Sequence, residues 1–293
     1  MKKLVFFTVL CLTVGFSSMA QDVIENDPAL TNKRGVALLP KAGNFALGID
    51  ASTPLTYLGN FFSNASNNAP ALEGFNGNIY GKYFLKDNRA LRARLNLNLT
   101  TTKRKAFVKD DEKTSETSYT LEDVRKYNYA NINLGLGYEF RRGTGRIQGF
   151  YGSEAILGVT ASGYRYEYAN SHKRTNTSPS STNFGDPNNV SGSSRDVERK
   201  GGNTFTLGVG GFAGFEYFIA PRLSIGGEFN LRLKLDLEGK SETKSESWNA
   251  TNNAVETKTA KGVRNSLSVK LNTKEKDDKG DNIKGIFFLM FHF

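Results

Sequence analysis

The sequence predicts an all-β protein: a single antiparallel up-and-down barrel of eight strands whose wall crosses a membrane. Three observations predict it. Segments of strict apolar–polar alternation recur along the chain, each about the 9–11 residues needed to cross a bilayer at a tilt. The connections between them are alternately short and long. The chain also finishes on GIFFLMFHF, Gly285 to Phe293, an almost wholly apolar run in a protein of negative mean hydropathy.

The N-terminus sets the compartment. Lys2 and Lys3 precede an apolar run from Leu4 to Phe16, and Ser18-Met19-Ala20 supplies small residues where a signal peptidase reads them. Residues 1–20 therefore read as a secretory signal peptide, with Sec-dependent export and cleavage before Gln21. Cys11 follows bulky Leu10, which disfavours a lipoprotein cleavage site, and it is the only cysteine in the chain. A processed chain has no disulfides and no thiol chemistry. Only His172 and His292 carry imidazoles, far apart and outside any metal-binding spacing. No cofactor or metal is expected. Beyond Gln21 no apolar run reaches the length of a membrane-spanning helix. Abundant Gly, scarce Pro and many Phe and Tyr favour strands. The expected organisation is a periplasmic segment at 21–42 followed by a barrel domain at 43–293.

The strands follow in order. In the first, Phe45, Leu47 and Ile49 oppose Asn44, Ala46, Gly48 and Asp50. The second sets Phe75, Ile79, Tyr83 and Leu85 against Asn76, Asn78 and Lys82. The third sets Leu91 to Leu99 against Arg92, Arg94, Asn96 and Asn98. In the fourth, Ile132 to Phe140 oppose Asn131, Asn133, Gly135, Gly137 and Glu139. In the fifth, Tyr151, Ala155, Leu157 and Val159 oppose Gln148, Gly152 and Glu154. The sixth sets Phe205 to Ile219 against Thr206, Gly208, Gly210, Gly214 and Glu216. The seventh sets Leu223 to Leu237 against Ser224, Glu228, Asn230, Arg232, Lys234 and Asp236. The last places Phe287, Leu289, Phe291 and Phe293 on one face and Ile286, Phe288, Met290 and His292 on the other.

Short connections lie at 86–89, 141–146 and 220–222; the long polar ones are 53–72, 103–125, 167–203 and 239–262. Short turns at one rim and long loops at the other fit an outer-membrane barrel, whereas a soluble β-sandwich has no reason to sort its loops. The bilayer core offers no water to bare backbone groups, so the sheet must close, with its apolar face outward and its polar face sealed inside. Eight strands leave a lumen that side chains nearly fill. The inward glycines, including Gly135, Gly137, Gly208, Gly210 and Gly214, are expected to make room for inward Phe150, Phe212 and Phe218. VRNSLSVKLNT, within 263–282, either extends the last hairpin or forms a separate strand, which leaves a ten-stranded barrel open.

Several stretches resemble the small outer-membrane β-barrel proteins of Bacteroidetes, with OmpA/OmpX-like barrel architecture: LLPKAGNFALGID, TYLGNFF and IYGKYFLKDNRALRAR. The resemblance implies a Gram-negative outer-membrane location and says little of function. The terminal Phe293 with Phe291, Leu289 and Phe287 before it resembles the signal that barrel-assembly machinery reads, after delivery by periplasmic chaperones.

The inward charges Lys82, Arg92, Arg94, Glu139, Glu154, Glu216 and Glu228 form the candidate site. Unpaired they would be costly, so a salt-bridge plug is expected, with a narrow ion path as the functional alternative. No Ser–His or acid–His constellation supports a lipid-modifying or proteolytic barrel enzyme. The loops are expected to carry a surface-interaction role, with 170–203 and 240–262 mobile, Trp248 as a lone anchor or sugar platform, and a short amphipathic helix at 53–72. The formal charge of +10 is spread among carboxylates, which argues against nucleic acid and for lipopolysaccharide and outer-membrane lipids as partners.

Overall fold

The computed structural model describes residues 30–31, 35–51, 78–113, 119–143, 145–185, 193–262, 266–272 and 286–293. These contain twelve strands in one antiparallel sheet and no helix. The strands are β1 (Phe45–Asp50), β2 (Asn78–Lys86), β3 (Arg89–Lys109), β4 (Tyr119–Arg142), β5 (Ile147–Glu167), β6 (Ser194–Lys200), β7 (Thr204–Ala220), β8 (Leu223–Glu238), β9 (Glu242–Asn249), β10 (Ala254–Lys261), β11 (Ser266–Asn272) and β12 (Ile286–His292).

Eight of them close a ring. β1 pairs with β2, β2 with β3, β3 with β4, β4 with β5, β5 with β7, β7 with β8, β8 with β12, and β12 returns to β1. The seam closes at its lower end through Phe293, whose N–H donates to Phe45 O at 2.7 Å while Phe45 N–H donates to Phe293 O at 3.2 Å. Each such bond matters in hydrocarbon, where an unsatisfied backbone group costs several kcal/mol.

Both faces follow from the period of two. Phe45, Leu47, Leu91, Leu99, Leu136, Leu157, Phe205, Phe229 and Phe291 are exposed on the outside of the ring, where acyl chains would cover them. The outward residues at the lower rim are aromatic: Phe45 lies 4.8 Å from Tyr83, and Phe140 stacks on Tyr151 at 5.5 Å. Such a girdle marks a membrane interface. The tight turns Asp87-Asn88 and Pro221-Arg222 sit at this same rim; Arg222 adopts a φ of 72° after the proline.

β11 settles the strand count. It pairs with the upper half of β8, Ser266 opposite Glu238 through Asn272 opposite Arg232, and β12 pairs with the lower half, Ile286 opposite Glu228. The two share one neighbour end to end, so β11 continues the eighth wall position and the ring does not reach ten.

The long connections differ from the loops expected. β3 and β4 stay paired far above the apolar band, from Leu99 opposite Ala130 up to Lys109 opposite Tyr119. The region 170–203 contains β6, and 240–262 forms the β9–β10 hairpin. β6 pairs with β5 and β9, so an ordered sheet stands on the upper rim, opposite the short turns. The physical reason is that a strand in water needs no apolar face: Thr, Ser and paired charges sustain it, and cross-strand contacts replace burial. Trp248 lies in this sheet, opposite Val255. The helix expected at 53–72, the signal peptide and residues 274–282 lie outside the described residues.

Candidate functional site

The ring brings the inward charges together. Lys82, Arg92, Arg94, Glu139, Glu154, Glu216 and Glu228 are all buried within the lumen. Register explains how: Lys82 stands opposite Arg92, Arg92 opposite Gly137, and Gly137 opposite Glu154, so neighbouring strands present their polar faces at one height.

The charges form two connected clusters. In the upper one, Glu154 accepts from Arg94 Nη2 at 3.0 Å and from Arg232 Nε at 2.9 Å, and Arg94 Nη1 donates to Asn78 Oδ1 at 3.2 Å. In the lower one, Lys82 Nζ donates to Glu139 at 2.9 Å and to Glu216 at 3.3 Å. Arg141 bridges the same two carboxylates at 2.9 and 2.8 Å. Arg92 makes a bidentate pair with Glu228, one arm at 2.8 Å, and its Nη1 lies 3.9 Å from Glu139. Arg141 and Arg232 are further members of the clusters: Arg141 falls in the segment read from sequence as the short connection 141–146, and Arg232 is read as inward but not counted among the site charges. Arg232 lies in the inward row of its strand, and Arg141 is the next inward position after Glu139, so both were reachable by carrying the alternation further.

Aromatic rings pack against the cations of the lower cluster. Lys82 Nζ lies 4.6 Å from the Phe150 centroid, and Arg92 lies 4.3 Å from Phe212 and 5.1 Å from Tyr80. Arg141 lies over Phe84 and Phe218 at 5.3 and 5.8 Å. Such contacts strengthen when desolvated. The glycines divide their work differently from the expectation. Phe150 reaches the space above Gly214, where a Cβ would sit 2.6 Å from Phe150 Cζ, and Phe212 uses Gly152 in the same way. Gly135 instead makes room for charge: a Cβ there would meet Glu154 Oε2 at 3.0 Å and Arg94 Nη2 at 3.3 Å.

At the lower rim Ser224, His292 and Glu216 meet. Ser224 Oγ lies 2.9 Å from His292 Nε2 and donates to Glu216 Oε1 at 2.5 Å; Glu216 Oε1 is also 3.1 Å from His292 Nε2. A nucleophilic triad needs the hydroxyl and the carboxylate on opposite ring nitrogens. Here both approach the same nitrogen, and Ser224 is fully buried. The group is a structural knot that ties β12 to β7 and β8.

The other histidine belongs to a knob above the upper rim. Asp123 accepts from Ala169 N at 2.9 Å and Thr182 N at 2.8 Å, and Asp111 accepts from Ser180 N and Asn176 Nδ2, each at 2.7 Å. Arg195 ties the knob to the sheet, donating to Asn170 O at 2.6 Å and Glu246 at 2.8 Å. His172 Nδ1 lies 3.2 Å from Thr177 O. Burial pushes its imidazole below the ordinary range, and the Arg195 guanidinium adds to that; the Thr177 carbonyl and Glu246 only partly oppose it.

On the last strand Phe287, Phe291 and Phe293 are exposed on the lipid-facing side, and Leu289 of the same row is half-buried opposite Ile49.

Comparison with known proteins gives the following. The model of the family described as the putative OmpA-OmpF-like porin family matches residues 72–231. No curated protein matches the chain. Two solved structures align along most of its length. A major outer membrane protein from Thermus thermophilus is 12% identical, covers 86% of this chain and 100% of its own, and has a TM-score of 0.34. The outer membrane protein OprG from Pseudomonas aeruginosa is 11% identical, covers 87% and 98%, and has a TM-score of 0.28.

Proposed function

The chain belongs to the putative OmpA-OmpF-like porin family of the outer membrane, and from that premise we propose that it is a closed, non-enzymatic barrel that anchors an ordered extracellular platform for surface interactions. The observation that carries this reading is the state of the lumen. Five cations, Lys82, Arg92, Arg94, Arg141 and Arg232, meet four carboxylates, Glu139, Glu154, Glu216 and Glu228, and all nine are buried. Buried ions remain charged at neutral pH only when paired, and this pairing together with the aromatic packing around it supports a lumen closed to solutes. The platform, by contrast, commits a large share of the chain to hydrogen-bonded structure above the bilayer. The terminal row Phe287, Leu289, Phe291 and Phe293 serves assembly in this account, as the segment that the barrel-assembly machinery engages.

The family's porin description favours a second reading, a narrow passive pore. Recordings of the refolded protein in planar bilayers separate the two. The scaffold reading predicts a silent bilayer even at molar salt; discrete current steps that scale with salt concentration would establish the pore instead.

A further inference from the structure

The outer wall above the membrane carries a feature that neither the plug nor the platform accounts for. Lys103 of β3 stands directly opposite Lys126 of β4, and Lys126 directly opposite Arg165 of β5. Three cations thus lie side by side across three strands. All three point outward, because Lys103 follows exposed, lipid-facing Leu99 by an even number of residues within one unbroken register. Like charges directly opposite each other destabilise a sheet, so the arrangement has a cost unless something anionic covers it.

Nearby carboxylates offset only part of that cost. Glu167 pairs with Lys126 at 2.6 Å and Glu122 with Lys105 at 2.6 Å. Glu198 is shared among Arg165 at 3.6 Å, Lys200 at 3.6 Å and Lys244 at 3.0 Å, and Glu242 lies 3.9 Å from Lys244. Among the described residues the belt therefore holds seven cations, with Lys103 and with Lys261 opposite Glu242, against these four carboxylates, and most of the excess sits on the β3–β4–β5 side.

Height identifies what faces this row. The last continuous apolar row is Leu97, Ile132, Val159 and Phe205, followed by Leu99 with Ala130 and Ala161. The cations lie four residues above Leu99, which is about 13 Å along the strand and about 9 Å of height at a 45° tilt. That is the level of lipid headgroups. Two inter-strand spacings set the row at about 10 Å long, enough to meet two anionic groups at once.

We propose that Lys103, Lys126 and Arg165 form a binding row for the phosphorylated headgroup of an outer-leaflet glycolipid, whose acyl chains cover the Leu97 and Leu99 rows beneath. The row orients the barrel and fixes its depth, whether or not the lumen conducts.

The test uses the full refolded protein titrated with vesicles of phosphatidylcholine containing bisphosphorylated lipid A. Parallel vesicles carry the same lipid stripped of phosphate. The variant combining Lys103→Gln, Lys126→Gln and Arg165→Gln should bind the phosphorylated vesicles about a hundredfold more weakly, and Lys103→Gln alone about fivefold. Removing equal charge at the distal tip, with Lys113→Gln, Lys173→Gln and Lys258→Gln, should change binding less than about twofold. Equal binding of both lipids, or equal loss in the distal variant, overturns the proposal. Displacement by about 10 mM inorganic phosphate would assign the row to free phosphate and overturn the lipid assignment. Should the triple variant fail to fold, as read by its gel mobility without heating, the single variant decides.

Discussion

Replacing Glu154 with Gln is the sharpest perturbation of the plug. Glu154 is shared by Arg94 and Arg232 at 3.0 and 2.9 Å, and all three side chains are almost fully buried. Gln keeps the shape and removes the charge. Two guanidiniums then remain in the lumen without the carboxylate between them. Removing one partner of a buried pair costs about 3–5 kcal/mol, because the charge left behind has lost its water and the carboxylate that replaced it, while Asn78 still accepts from Arg94. The unfolded chain in urea has no such penalty, so the whole cost appears in stability. With a urea slope of about 2–3 kcal/mol per molar, the midpoint should fall by about 1–2 M. The assay is the fraction of compact, fast-migrating barrel on unheated gels across a urea series in lipid vesicles. A second variant adds Arg94→Met and Arg232→Met, which removes the two guanidiniums that Glu154 neutralises and should restore most of the loss. A shift below about 0.2 M for Glu154→Gln would mean that water already reaches these guanidiniums, and the plugged lumen would have to be abandoned.

Three further outcomes follow from other parts of the molecule. Gly214→Ala should destabilise the barrel by about 1–3 kcal/mol, since the new Cβ meets Phe150, while lipid-facing Gly81→Ala, whose Cβ approaches only Ala93 at 4.0 Å, should change the same stability by less than about 0.5 kcal/mol. The knob above the upper rim should loosen in acid. His172 is held below its ordinary pKa in the fold, so the unfolded knob binds protons more readily; stability is full above about pH 6.5 and falls as pH drops through the depressed value. Fluorescence of Trp248, the only tryptophan, should report that transition, and His172→Asn should remove it. Deleting Phe293 removes its two backbone bonds to Phe45 and the last of the outward aromatic row, and should lower the proportion of heat-modifiable barrel in cell envelopes.

Much of this fold is legible in the sequence because one physical constraint repeats at every strand. Leu91 to Leu99, Ile132 to Phe140 and Phe205 to Ile219 alternate strictly, since each strand must offer hydrocarbon to lipid and polar groups to the lumen. Closure at eight strands, with ten left open by VRNSLSVKLNT, could be read from the count of such segments and the sorting of their connections. The alternation stops being informative where the bilayer stops. Beyond Leu99 the outward positions become Thr101, Lys103 and Lys105, which look like loop in a reading tuned to apolar periodicity, yet the strand runs on to Lys109. The same holds for Glu242 to Asn249, a strand made of Ser, Thr and alternating charge.

The charged residues of the lumen were legible as inward positions, but their partners were not. Which glutamate meets which arginine depends on register between strands distant in sequence. Lys82 and Glu216 are 3.3 Å apart in space, and Arg92 meets Glu228 across the barrel. Period two gives a side chain its face, not its height relative to other strands. The role of Gly152 in seating Phe212 was hidden for the same reason. β11 was ambiguous because VRNSLSVKLNT reads equally as an extension of a hairpin arm or as a strand of its own, and only its pairing with β8 shows it as the upper part of a wall position that β12 completes.

The occluded lumen can be tested most directly by thiol accessibility. The only cysteine in the chain is Cys11, so a protein prepared from Gln21 onward reports a single introduced thiol. Asn230 lies in mid-lumen, buried and opposite Phe212. Asn230→Cys in a sealed vesicle should resist a membrane-impermeant maleimide from either side, while Thr257→Cys on the exposed β10 strand reacts at once. Labelling of the Asn230→Cys thiol at a rate near that of the Thr257→Cys thiol would contradict the account.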